Sequence, residues 1–217
     1  MDVIFGICGF IGAMLCAIGD LLLDLKGKDN RKRGKLGIMD SAWDHMDVKR
    51  FTRSILLAMF GTPMAFLGFT AMARQLSLAN GPFGLVFWLV SVIGCSGSFF
   101  IHTIICLFPV IYKKVEPEHG FDYAEEIINT IYTAIRVPFW VLYIALTGVT
   151  SMMLIWALFA GYLPLSPWCS LLTVPSLIVI GALLQKLNPN WFCDLPIIIT
   201  PSLGLGMFGL LAAISAW

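Results

Sequence analysis

Ala17-Ile18-Gly19-Asp20-Leu21-Leu22-Leu23-Asp24-Leu25-Lys26-Gly27-Lys28 is where an apolar run meets its first carboxylates and passes into a basic loop. No charged residue stands between Val3 and Gly19. Asp20 and Asp24 are four apart, so a helix sets them on one face. A span over 3–23 puts Asp24 at the edge of hydrocarbon and Asp20 about one turn, roughly 5 Å, deeper. A carboxylate at that depth costs roughly 2.5–3.5 kcal/mol on insertion scales, so it needs a partner or a function. Asp20 is therefore the first candidate for chemistry.

The rest of the chain has the same membrane character. Hydrophobic residues make up 59% of it and charged residues 12%; mean hydropathy is +0.87. Soluble domains run nearer 45–50% apolar and 25% charged, and so apolar a chain lacks the polar surface to cover a soluble core. Uncharged stretches predict spans at 3–23, 54–73, 83–112, 137–160, 168–187 and 195–217, with loops at 25–53, 113–136 and 188–194. The expected fold is an all-α membrane protein, one compact bundle of six transmembrane helices in a single domain. With no basic n-region before it, the first apolar run reads as a retained span and not a cleaved signal.

Charge placement orients this bundle. Six spans put both termini and the loops after spans two and four on one side, which holds only Arg74 of the 14 lysines and arginines. The other thirteen share the opposite side, which makes that side cytoplasmic and leaves both termini outside. Trp88, Trp156, Trp168 and Trp217 fall at the outer boundary, Trp140 and Trp191 at the inner one, as an aromatic belt. Short loops suggest the inner (plasma) membrane of a bacterium. A net charge of +1 gives no reason to expect nucleic acid as a partner; oligomeric state is left open.

Local signals fix several helix ends and contacts. Asn80-Gly81-Pro82 marks a helix start. Asp122 followed by Glu125 has capping-box spacing, so a helix is expected there, lying on the interface or extending span four. Gly6, Gly9 and Gly12 with Ala13 and Ala17, and Gly61, Ala65 and Gly68, make smooth faces for close helix contact. Six cysteines (Cys8, Cys16, Cys95, Cys106, Cys169, Cys193) show no Cys-x-x-Cys spacing, so neither a disulfide framework nor a thiolate metal site is expected.

Depth counting at about 1.5 Å per residue places Asp20 about 10 Å and His102 about 8 Å to the cytoplasmic side of the midplane. Tyr143, Gln185 and Thr200 fall at similar levels, so five spans contribute a hydrogen-bonding side chain to one layer. Pro109, Pro138 and Pro201 in the inner portions of their spans, and Pro63, free backbone carbonyls that need protein or a wet cavity to receive them. Together these predict a polar cavity opening to the cytoplasm, centred on Asp20 and His102 and rimmed by Asp24, Arg136 and Asp194.

Three mechanisms suit these residues. Asp20 orients or deprotonates His102, which serves as general base toward a lipid or amphiphile. Alternatively Asp20 and Asp24, with Asp40 and Asp44, hold Mg²⁺ against a phosphate head that Arg31, Arg33 and Arg136 clamp. A small proton-coupled transporter would use Asp20 and His102 as carriers, and a scaffold subunit would need neither. The first is the preferred expectation, because the polar layer lies off-centre and no internal repeat is visible.

Two short resemblances bear on this. Ser98-Phe99-Phe100-Ile101-His102 resembles the Ser-x-x-x-His element of zinc-dependent membrane amidases of the ceramidase type. The chain has no histidine beyond His119 to supply their later His-x-x-x-His pair, so zinc is not expected. Gly19-Asp20-Leu21-Leu22-Leu23 is similar to the Gly-Asp-x-Leu-Leu signature of lysoplasmalogenase-type membrane hydrolases, over five residues.

Overall fold

A computed structural model describes residues 1–192 and 194–217; the side chains of Asn190 and Trp191 are also outside the description. The boundary position expected of Trp191, and Cys193, therefore lie outside the described residues. Apolar sequence and few helix breakers give helices almost throughout. They are α1 (Asp2–Asp24), α2 (Val48–Ala79), α3 (Gly81–His119), α4 (Phe121–Tyr143), α5 (Thr150–Phe159), α6 (Val174–Leu187), α7 (Pro189–Phe192) and α8 (Leu195–Ser215). A π-helical segment, Ile144–Val149, joins α4 to α5 without a break, and a 3₁₀ segment, Pro167–Leu172, precedes α6. Five runs are long and apolar enough to cross a membrane: α1, α2, α3, the continuous Phe121–Phe159 and α8. The chain thus has the architecture of an integral membrane protein, an all-α bundle.

The expected span over 168–187 takes a different form. Its first part is the 3₁₀ segment and its helical part is α6, whose 14 residues rise about 21 Å, short of a hydrocarbon core of about 30 Å. Pro175, in the first turn of α6, suits a helix start that late.

Three helices form the centre, and glycine lets them touch. A Cβ added at Gly9 would lie 2.3 Å from the Gly68 Cα, and one at Gly6 would lie 2.4 Å from the Gly209 carbonyl oxygen. At Gly68 the added atom would come within 3.0 Å of both Gly209 and Gly9. The backbones of α1, α2 and α8 therefore meet where only hydrogen fits, the packing that small residues give in a membrane. Both termini lie at the same end of the bundle. There Asp2 pairs with Arg74 at 3.1 Å and accepts from Gln75 at 2.9 Å.

The opposite, charged end carries a second core. Residues 25–47 cross it through a two-stranded hairpin, β1 (Lys32–Arg33) with β2 (Met39–Asp40), and a short 3₁₀ turn. Trp43, Met39 and Met46 pack against Leu23, Phe51, Tyr112, Ala124 and Ile128 from four helices. Tyr112 and Trp43 rings lie 5.8 Å apart, and Lys113 donates to the carbonyls of Trp43 and Asp44 at 3.0 Å each. Residues 39–46 and the helix expected after Asp122 thus cover one another. The second extends the fourth apolar run, being continuous with it.

Capping here departs from expectation. α4 starts at Phe121, after Gly120 at φ 86, and no side chain caps it. Glu125 instead accepts from the Lys35 amide and, at 3.2 Å, from Asn129. The tight α3–α4 turn puts Asp122 inside the first turn, and the loop claims Glu125. At the far end Asn80 behaves as the sequence predicts, accepting from the Phe83 amide at 3.1 Å.

Candidate functional site

α1 carries its small residues Gly9, Ala13 and Cys16 on one stripe, and Asp20 is the next position along it. α2 has the stripe Gly68, Gly61 and Ala58, which ends at Ser54; α8 has Gly209 and Gly206, which ends at Ser202. The faces that knit the three helices together therefore deliver Asp20, Ser54 and Ser202 to one layer near the charged end. α3 adds His102.

These four side chains form a chain of contacts. Ser202 donates to Asp20 Oδ2 at 2.6 Å, and Asp20 Oδ1 stands 3.5 Å from His102 Nδ1. His102 Nε2 is 2.9 Å from Ser54 Oγ, and Ser54 donates to the Gly19 carbonyl at 2.7 Å. Cys106 also donates to Ser54 Oγ, at 3.5 Å. A serine has one proton and two lone pairs. With its proton on Gly19, Ser54 accepts from Cys106 and from His102, so Nε2 carries hydrogen. Nδ1 is then the atom that faces Asp20, where it can accept from a protonated acid or, once protonated, donate to a carboxylate.

A cavity of about 490 Å³ opens beside this pair. Its walls come from α1, α2, α3, α8 and the α4–π segment, with α4 and α8 little packed against each other. Most of the lining is apolar: Ala58, Ala65, Phe69, Ile101, Leu142, Leu146, Leu205 and their neighbours. The polar lining consists of Asp20 and His102 with Asp24, Ser98, Ser202, Thr62, Tyr143 and Thr147. Asp20 keeps 27% and His102 16% of its side-chain surface exposed, so both are reachable. Within the π segment, Thr147 donates to the Tyr143 carbonyl at 2.6 Å, and both residues face the cavity. A π turn re-aims side chains in this way and is common at functional sites.

The other expected site residues lie elsewhere. Gln185 donates to Asp194 at 3.0 Å, and neither lines the cavity. Thr200 is turned to α6, where its Oγ1 would lie 3.1 Å from a Cβ at Gly181, and it has no hydrogen-bond partner among the described residues. Ser202, two residues and about 200° around the helix, takes the cavity side instead. Arg136 is exposed and outside the lining. Of the four prolines thought to mark the cavity, only Pro201 lines it.

The donors do not fit the Mg²⁺ arrangement. Asp24 is 2.8 Å from Lys26, and Lys26 is 2.7 Å from Asp40. Asp40 is buried and also pairs with Lys32 at 3.0 Å, while Asp44 is 2.9 Å from Arg33 and from the Tyr112 hydroxyl. Both loop carboxylates thus serve the charged-end core, and Arg33 is not free to clamp a phosphate. No group of three or more histidine, cysteine or acidic side chains suited to a metal exists among the described residues. Burial alone would raise the Asp40 carboxyl, yet Asn30, Lys26 and Lys32 hold it below the usual value. The same burial would lower Lys26, and Asp24 and Asp40 outweigh it, so its ammonium is held above the usual value.

No curated protein and no solved structure matches the chain, and nothing found extends either short resemblance noted in the sequence. One family model covers residues 1–216, that of a family of unknown function, DUF6796. It is to this family that the chain belongs.

Proposed function

We propose that the protein is an integral-membrane enzyme that draws a lipid or amphiphile from the cytoplasmic leaflet and acts on it by acid–base chemistry at Asp20 and His102. In this reading the chain crosses six times, the sixth crossing being the 3₁₀ segment with α6, and both termini are outside. The thirteen-to-one split of basic residues supports that orientation. So does the exposure of Trp88, Trp140, Trp156 and Trp168, which suits rings lying at the two membrane boundaries.

One observation carries the proposal: a largely apolar cavity of about 490 Å³ has a reachable acid–imidazole pair at its polar end. That volume is within the range of roughly 300–1,000 Å³ for small-molecule sites. With both groups deprotonated, His102 would take a proton from water or a substrate hydroxyl through Nδ1, with the Asp20 carboxylate stabilising the imidazolium that forms. The 3.5 Å gap leaves room for that exchange, and such contacts tighten when substrate binds. General acid–base catalysis of this kind is worth about 10²–10⁴-fold.

The test is turnover of a lipid panel by the purified chain in detergent, with products read by mass spectrometry. Asp20→Asn and His102→Gln are expected to lower the rate by about 10²–10⁴-fold while the variants insert normally. Absence of product, with solute uptake into sealed vesicles that needs both residues, would replace this reading by a proton-coupled carrier. Neither activity, with a second membrane protein copurifying, would make it a scaffold.

A further inference from the structure

Among the described residues, the cavity is lined by two carboxylates and one imidazole, and by no lysine or arginine. Three cations at the charged end are engaged elsewhere. Lys26 bridges Asp24 and Asp40, Arg33 holds Asp44, and Arg50 donates to the carbonyls of Leu21, Leu22 and Leu25 at the end of α1. α8, the helix whose first turn lies beside the cavity, begins after Asp194 and has Pro196 in that turn. Asp194 accepts from Gln185 and does not cap the helix, and Pro196 removes one amide donor from its first turn. A phosphate or carboxylate head depends above all on arginine or lysine, and neither lines the cavity among the described residues. An ionised Asp20 would repel it.

Size narrows the ligand further. An apolar cavity of about 150 Å³ holds one six-carbon ring. By that measure 490 Å³ takes on the order of 20 carbons, enough for one chain and too little for two. The apolar walls suit the chain, and Asp20, Ser98 and Tyr143 offer acceptors to the head.

We infer that the ligand is a single-chain amphiphile whose head donates hydrogen bonds and carries no negative charge: a long-chain amine or alcohol. This rests on the reading of the cavity as the substrate site and adds the class of substrate it takes.

Competition against tritiated hexadecylamine, with the full chain in maltoside detergent at pH 7, tests it. Unlabelled hexadecylamine and hexadecanol should displace the label at concentrations at least tenfold lower than hexadecyl phosphate or hexadecanoate. Asp20→Asn should shrink that gap to threefold or less, and Leu205→Trp, which fills the cavity, should remove saturable binding. Equal or better competition by the phosphate or carboxylate overturns the inference, as does a lack of saturable binding to the wild-type chain. The wild-type comparison decides even if a variant fails to fold. Head selectivity without turnover of any lipid would defeat catalysis and leave the ligand class standing. Turnover of a phosphate-headed lipid would do the reverse.

Discussion

Ser54 and Ser202 hold the proposed pair in place, and each can be removed without touching it. Ser202→Ala deletes a 2.6 Å hydrogen bond to a carboxylate, which is worth about 1.5–3 kcal/mol when its acceptor is charged. The expected result is a lower melting temperature and weaker turnover, read by thermal unfolding and product formation. Ser54→Ala leaves a buried imidazole N–H without its acceptor, at a cost of about 1–3 kcal/mol. It also frees the ring to change tautomer, so its rate loss should exceed that of Thr200→Ala, which lies off the cavity. Asp20 was legible in the sequence because a carboxylate one turn inside an apolar run cannot be ignored. Ser202 was not, because depth along a helix was read without its face. The face was available in principle: Ser202, Gly206 and Gly209 are spaced by four and three, the stripe that meets α1.

The central helices depend on absent side chains. Gly9→Ala should be severely destabilising, since its methyl would collide with the Gly68 backbone at 2.3 Å and neither helix can yield locally. Gly81→Ala meets nothing within 4 Å and should be neutral or stabilising by up to about 1 kcal/mol. Melting of the two variants in detergent separates them; similar temperatures would contradict the close packing. The long helices were legible because apolar length over 20 residues has few other meanings. The late start of α6 and the π segment were not. Each follows from packing against neighbours, Leu146 against Gly94 in the π segment and Val174 against Gly204 at α6, and neither leaves a periodic signature.

Across the whole molecule, the charged end is closed by a network in which Asp40 is 1% exposed. Its carboxyl is held below the usual value, so it stabilises the fold at neutral pH, and that contribution is lost as pH falls through and below the ordinary carboxylate range. Lys26 is held above its usual value, so its contribution is complete below the ordinary lysine range and fades as pH rises through the folded value. Proteolysis of the 25–47 loop should accordingly increase at both extremes of pH, and Asp40→Asn should remove most of the acid limb. The glycine contacts of α1, α2 and α8 bring Asp20 to His102, and the proposed chemistry turns on the proton those two groups exchange. With three histidines in the chain, ¹⁵N NMR of histidine-labelled protein can observe that proton, the His102 signal being identified by its loss in His102→Gln. The expected spectrum has hydrogen on Nε2 and an Nδ1 resonance that moves in Asp20→Asn. A proton fixed on Nδ1 with Nε2 bare, or an Nδ1 signal indifferent to Asp20, would contradict it.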